Sequence, residues 1–323
     1  MRFVDVGGVR VSAIGLGTWQ FASPEWGYGE GYASVEATAI VDRALDLGVN
    51  LIDTAEVYGF GRSETIVGRA VAPRRADAFV ATKVFPVLPL GPVVEQRGRS
   101  SAHRLGVDRI DLYQVHWPNP AVPLGSTMGG MRRLQQDGVV ANVGVSNFSL
   151  TRWQAAERAL GGPVLSNQVR YSLVARRPER ELIPWATASD RLVLAYSPLG
   201  QGLLSGRWSA SDRPRNGVRR ANPLFLPENM ERAGGLLATL AVVARAHDAT
   251  SAQVALAWVV RRPNTVAIPG ARTVAQVEAN AAAADLELTD DEDAALTAAS
   301  DAFHPLRLPA AVVGARRRRR RPG

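Results

Sequence analysis

Short apolar runs rich in β-branched residues recur along the chain about every thirty residues, each followed by a stretch with helical periodicity. Eight are readable: "AIGLGTW", "NLIDTA", "AFVATKV", "IDLYQVH", "VANVGVSN", "VLSNQVRY", "LVLAYSP" and "TVAIPG". Strict alternation of this kind calls for parallel strands joined by crossover helices. Eight near-continuous apolar strands without a break in composition favour a closed (β/α)8 TIM barrel over a doubly wound sheet. The class predicted is therefore α/β, with an N-terminal β-hairpin, "FVDVGGVRVS" turning at Gly7-Gly8, and an extra C-terminal helix, "LTDDEDAALTAAS" capped by Thr289.

The helices between the strands carry their own signals. "SVEATAIVDRALDLG" is expected to run from a Ser34 cap to Gly48, and "TVAQVEANAAAAD" to open at Thr273. "GPVVEQRGRSSAHRLG" is expected to be irregular or mobile, because Gly98 alone disfavours a helix by ~1 kcal/mol. Residues 207–228, rich in Arg, Pro and Asn, are too long for an ordinary barrel loop and are predicted to cover the active site. Residues 1–304 are expected to form a single domain and 305–323 a disordered tail with an arginine run.

A formal charge of +8 suggests a nucleic-acid binder until its distribution is read: six arginines lie in the last nine residues, "ARRRRRRPG", leaving +2 for the rest. Without a helix-turn-helix, finger or RNA-binding signature, no specific nucleic-acid partner is expected. Apolar segments are short and broken by charge or glycine, so no membrane association is expected, and a cytoplasmic location is the simplest reading. The absence of cysteine excludes a disulfide framework and thiolate catalysis. His103, His247 and His304 have no partners at ligand spacing, so no metal site is expected. "GLGTWQ" and "GFGRSE" lack the third glycine of a dinucleotide fingerprint, and there is no G-K-[ST] of a P-loop.

In a barrel of this class the site forms where the C-terminal strand ends converge. Those ends carry Asp53, Lys83, His116, Ser146-Asn147, Asn167-Gln168 and Tyr196-Ser197. Lys83 is the sole lysine among 38 basic residues, in a chain that otherwise uses arginine. An ammonium serves as a compact titratable charge in a buried site where a guanidinium does not. With Tyr58, five residues after Asp53, these groups make a coherent device. A phenol has a pKa of about 10 and needs a neighbouring cation to exchange protons near neutrality. Lys83 is that cation, Asp53 anchors it as an ion pair, and His116, neutral, holds a substrate oxygen.

The motifs "GLGTWQ", "IDTAEVYGFGRSE", "ATKV", "RLGVDRIDLYQVHWP", "GVSNF", "NQVRYSL", "AYSPLGQGLLSG" and "IPGARTVAQVEAN" stand in this order, and by them the chain resembles the aldo-keto reductase family from about residue 9 to residue 300. The resemblance implies a TIM barrel that binds NADPH without a Rossmann fold and reduces aldehydes or ketones to alcohols, with Asp53, Tyr58, Lys83 and His116 as catalytic tetrad and Tyr58 as general acid. It implies that Ser146, Asn147 and Gln168 hold the nicotinamide carboxamide and that Tyr196 stacks beneath the ring. Ser197, Leu199, Gly202 and Leu203 would meet the pyrophosphate, and Gly270, Arg272, Gln276 and Asn280 the adenosine end. Arg272, able to pair with a 2'-phosphate, favours NADPH over NADH, while Ala279 stands where the family often has an acid. Trp19, Trp26 and Trp117 are expected to line an apolar pocket for a small carbonyl substrate. A monomer is favoured. Some members resemble regulatory subunits, so an NADPH-binding redox sensor with slow turnover is the alternative.

Overall fold

The computed structural model describes residues 1–22, 32–214 and 217–306. Strands β1 (Phe3–Val6) and β2 (Val9–Ser12) pair antiparallel across Gly7 and Gly8, both with positive φ. Eight parallel strands follow: β3 (Leu16–Gly17), β4 (Leu51–Asp53), β5 (Phe79–Val84), β6 (Ile110–Val115), β7 (Val140–Ser146), β8 (Ser166–Arg170), β9 (Leu192–Tyr196) and β10 (Thr265–Ile268). Each neighbours the next in chain order. The seam between β10 and β3 is closed by amides of Gly15 and Gly17, which donate to the carbonyls of Ala267 (2.8 Å) and Pro269 (3.0 Å).

Strand parity sorts the side chains into two cores, since successive residues point to opposite faces. Leu51, Ala81, Leu112, Leu194 and Val266 share one buried cluster inside the barrel, floored by Val6 and Val11 of the hairpin. Their chain neighbours Ile52, Val80, Tyr113, Val193 and Ala267 face outward into a larger cluster with the helices. These are α1 (Tyr32–Asp46), α2 (Arg62–Val71), α3 (Gly91–Leu105), α4 (Leu124–Gln136), α5 (Leu150–Leu160) and α6 (Leu182–Ala188). After β9 come α7 (Gly217–Ala221), α8 (Pro227–Arg232), α9 (Gly234–Ala246) and α10 (Ser251–Val260), and after β10 come α11 (Val274–Ala282) and α12 (Asp290–Ala302). Among the described residues, no helix is long and apolar enough to cross a membrane.

The caps expected at Thr273 and Thr289 are present: each hydroxyl accepts an amide three residues on, and Thr289 with Glu292 completes a capping box. Two expectations need correction. Helix α1 begins at Tyr32, so Ser34 stands inside the first turn rather than at the cap position expected for it. Helix α3 is regular over 15 residues, ending in a left-handed Gly106. Gly98 suits it for a packing reason, because a Cβ there would lie 2.5 Å from Leu134 Cδ1 of α4. Closeness of the two helices outweighs the propensity loss. The described part of 207–228 lines the cavity through Arg207, Trp208 and Arg219 and carries α7 and a short 3-10 turn over Pro223–Phe225, whose Leu224 and Phe225 are buried. The arginine run lies outside the described residues.

Candidate active site

The parity that builds the barrel interior also builds the site. Two residues beyond inward-facing Leu51, Ala81 and Leu194 stand Asp53, Lys83 and Tyr196, and β6 continues from Leu112 through Gln114 to His116. The polar residues at the strand ends are thus the top layer of the barrel filling. Above them lies a cavity of about 860 Å³, walled by Asp53, Tyr58, His116, Gln168, Tyr196 and residues of the neighbouring loops.

Lys83 is completely buried. Its Nζ donates to Asp53 Oδ2 at 2.7 Å and to the Thr54 carbonyl at 2.8 Å, and it sits 5.1 Å from the centre of the Tyr58 ring. Asp53 Oδ1 accepts from Gln168 Nε2 at 2.8 Å, so both carboxylate oxygens are satisfied. Burial works against the Lys83 ammonium, but Asp53 and Tyr58 outweigh it and hold its pKa above the ordinary lysine value. The ammonium is therefore charged at neutral pH.

Tyr58 lies on the turn between β4 and α2, where Gly59, Phe60 and Gly61 all take positive φ. Two clasps fix that turn. Ser63, fully buried at the start of α2, bonds through its hydroxyl to Thr18 and Thr54. Glu56 accepts from the Phe85 amide and from Arg97 Nε, tying the turn to the loop after β5. The Tyr58 ring stacks on Trp19 and meets His116 edge-on, at 6.1 and 5.8 Å between centres. Part of the residue stays open to the cavity although protein surrounds it densely. Burial pushes the phenol above its ordinary pKa; Lys83 pulls it down by charge and hydrogen bond, without overcoming burial. The phenol consequently stays protonated at neutral pH.

His116 is driven down to about 3, first by burial and then by the Lys83 charge, so its imidazole is neutral. Its Nδ1 is buried and makes no hydrogen bond to any described residue.

Ser146, Asn147 and Gln168 are also brought together. Ser146 Oγ donates to the Gln168 carbonyl at 2.9 Å and accepts from Asn147 Nδ2 at 2.9 Å; Asn147 Oδ1 accepts from the Tyr196 hydroxyl at 3.0 Å. Ser197, Leu199 and Gly202 line the cavity beyond Tyr196, while Gly270, Arg272, Gln276 and Asn280, with Ala279, line its far end. Leu203 does not reach it, because its side chain is packed wholly into the core outside the barrel. Trp19 and Trp117 are on the wall, and Trp26 lies outside the described residues. His247 has a role beyond its sequence neighbourhood, with Nε2 2.9 Å from both Glu292 oxygens across α9 and α12.

Sequence reasoning missed Phe85 and Arg170 as lining residues, and it expected the 207–228 segment over the site without singling out Arg207, Trp208 and Arg219, which line the wall. A signal existed for Arg170, which is two residues beyond Gln168 on the same strand and thus shares its face. For Arg219 the sequence indicated the covering segment but not the side chain, since only the backfolding of α7 brings its Nε to the Gln201 carbonyl, at 2.8 Å.

Comparison with known proteins gives a consistent picture. The model of the "Aldo/keto reductase family" matches residues 13–301. An uncharacterised oxidoreductase of Mycobacterium bovis is 53% identical over 307 residues, 95% of each chain. A methylglyoxal reductase of Escherichia coli is 34% identical, covering 90% of this chain and 91% of its own. Among solved structures, the glycerol dehydrogenase of Gluconobacter oxydans superposes with a TM-score of 0.84 at 30% identity, covering 95% of this chain and 97% of that one. An aldo/keto reductase of Klebsiella pneumoniae in complex with NADP and acetate superposes at 0.74 and 30% identity, covering 94% and 96%.

Proposed function

The chain belongs to the aldo/keto reductase family of oxidoreductases, and from that premise we propose that it is an NADPH-dependent reductase of small aldehydes or ketones, with Tyr58 as proton donor. The observation that carries the reading is a protonated phenol on the cavity wall, backed by a buried Lys83–Asp53 pair and met edge-on by a neutral His116.

The residues suit the cofactor by their chemistry. Tyr196 offers an aromatic face, and the Ser146, Asn147 and Gln168 side chains offer amide and hydroxyl groups beside it. Arg207, Arg219 and Arg272 put cations on the walls beyond, matched to a diphosphate and a 2'-phosphate, which favours NADPH over NADH. When bound, NADPH supplies the hydride that reduces the carbonyl carbon. This chain's part is positioning and proton supply. The Tyr58 hydroxyl donates to the carbonyl oxygen and passes its proton to it as the alcohol forms. Lys83 then stabilises the phenolate left behind, while Asp53 keeps the ammonium charged and in place. His116, being neutral, has one N–H with which to hold the same oxygen. Trp19, Val57, Phe85 and Trp117 give the mouth an apolar wall that thins the water around the reacting groups.

The test is NADPH consumption with a panel of aldehydes, ketones and quinones, run beside NADH. Tyr58→Phe is expected to keep NADPH binding while losing about 10²–10⁴ in turnover; equal activity in that variant refutes the role. Tight NADPH binding with negligible turnover of the unmodified protein across the panel points instead to the regulatory module.

A further inference from the structure

Arg170 ends β8, and its place follows from the strand's parity. Ser166 Oγ reaches Gln114 Oε1 at 3.3 Å and Gln168 Nε2 reaches Asp53 Oδ1, both within the barrel. The same parity sets Arg170 in the cavity mouth, roughly 6.6 Å further along the strand than Gln168, where it is exposed and lines the wall. Its side chain makes no hydrogen bond or ion pair with any described residue. Asp53, the single acid among the described lining residues, is already held by Lys83. Among the described residues, nothing on the wall neutralises the guanidinium.

Its position separates it from the other cations. Arg207 and Arg219 belong to the segment after β9 and Arg272 to the loop after β10, whereas Arg170 is on β8, in register with Tyr196. Arg170, Tyr196 and Tyr58 all line the one cavity, so cation and proton donor face a common space. Resting on the reductase reading, we propose that Arg170 selects carbonyl substrates that carry a carboxylate. Its planar fork holds the carboxylate while the carbonyl oxygen lies against Tyr58 and His116.

The same guanidinium chemistry suits a cofactor phosphate, and the experiment separates the two. Rates are measured for ω-oxo carboxylates of four to six carbons and for unsubstituted aldehydes of equal length, with the unmodified protein, Arg170→Met and Arg170→Lys. NADPH dissociation constants are taken by fluorescence, and butanoate is titrated calorimetrically into the NADP⁺-loaded protein. Because Arg170 is exposed and unpaired, its replacement leaves the fold intact. The unmodified protein is expected to favour the carboxylated series in kcat/KM by about tenfold or more, the strength of one charged hydrogen-bonded contact. In Arg170→Met that ratio collapses through KM, in Arg170→Lys it is partly kept, and NADPH affinity changes less than twofold. No preference in the unmodified protein, or equal loss on both series, overturns the proposal. So does weakened NADPH binding with the ratio unchanged, which assigns the guanidinium to a phosphate. Should neither series turn over, the reductase reading fails separately. Butanoate binding lost in Arg170→Met then still supports the anion site, and binding that is absent or unchanged overturns it.

Discussion

Replacing Lys83 with methionine removes the cation that faces the Asp53 carboxylate, and methionine fills much of the vacated volume. Asp53 is 3% exposed and its Oδ2 would lose a 2.7 Å charged donor, leaving Gln168 on Oδ1. The Thr54 carbonyl loses its donor as well. Breaking a buried ion pair from one side costs about 3–5 kcal/mol, because the remaining charge has neither water nor partner. For a chain of this size that is a fall of roughly 4 to 7 °C in Tm. The assay is thermal or urea unfolding of the cofactor-free protein at pH 7, followed by circular dichroism. The double variant, Lys83→Met with Asp53→Asn, removes the stranded charge and is expected to recover about 2 kcal/mol. A single variant that loses less than about 1 kcal/mol, or a double variant no more stable than the single, refutes the assignment of a desolvated, mutually dependent pair.

Other expectations follow from the same geometry. The folded-state pKa of His116, about 3, lies below the ordinary value near 6.5, so the unfolded chain takes up the proton first as pH falls. The His116 contribution to stability is therefore whole above pH ~6.5 and is lost progressively toward pH ~3, at most about 1.4 kcal/mol per pH unit; unfolding of His116→Gln across that range should lack this part of the slope. Gly98→Ala should destabilise by about 1–3 kcal/mol through the clash with Leu134, despite a better helix former in α3; a gain in Tm overturns the packing account.

The backbone plan is readable in the sequence alone, for a definite reason. Parallel strands buried on both faces must be near-continuously apolar, and the crossover between them must be long enough for a helix, so strand count and order were set by local signals. Asp53, Lys83, His116 and Gln168 were readable too, because a polar group ending a buried strand in a barrel has one rim to join. Tyr58 was harder: it lies on a turn, and its site position depends on Ser63 and Glu56, residues whose hydrogen bonds cross from one unit to another.

Other features were decided by contacts far apart in sequence. Burial outweighing the Lys83 charge at Tyr58 follows from the density of protein around the ring, which no spacing encodes. The regularity of α3 follows from Leu134, 36 positions from Gly98, and the pairing of His247 with Glu292 from two helices that meet only after the barrel has closed. Arg219 reaches the cavity because α7 folds back over Gln201. What the sequence determined by itself was the periodicity and the inventory of reactive groups, since both act over a few residues. Tertiary structure alone decided which groups lose their water and which face one another, because desolvation and Coulomb attraction depend on distance in space.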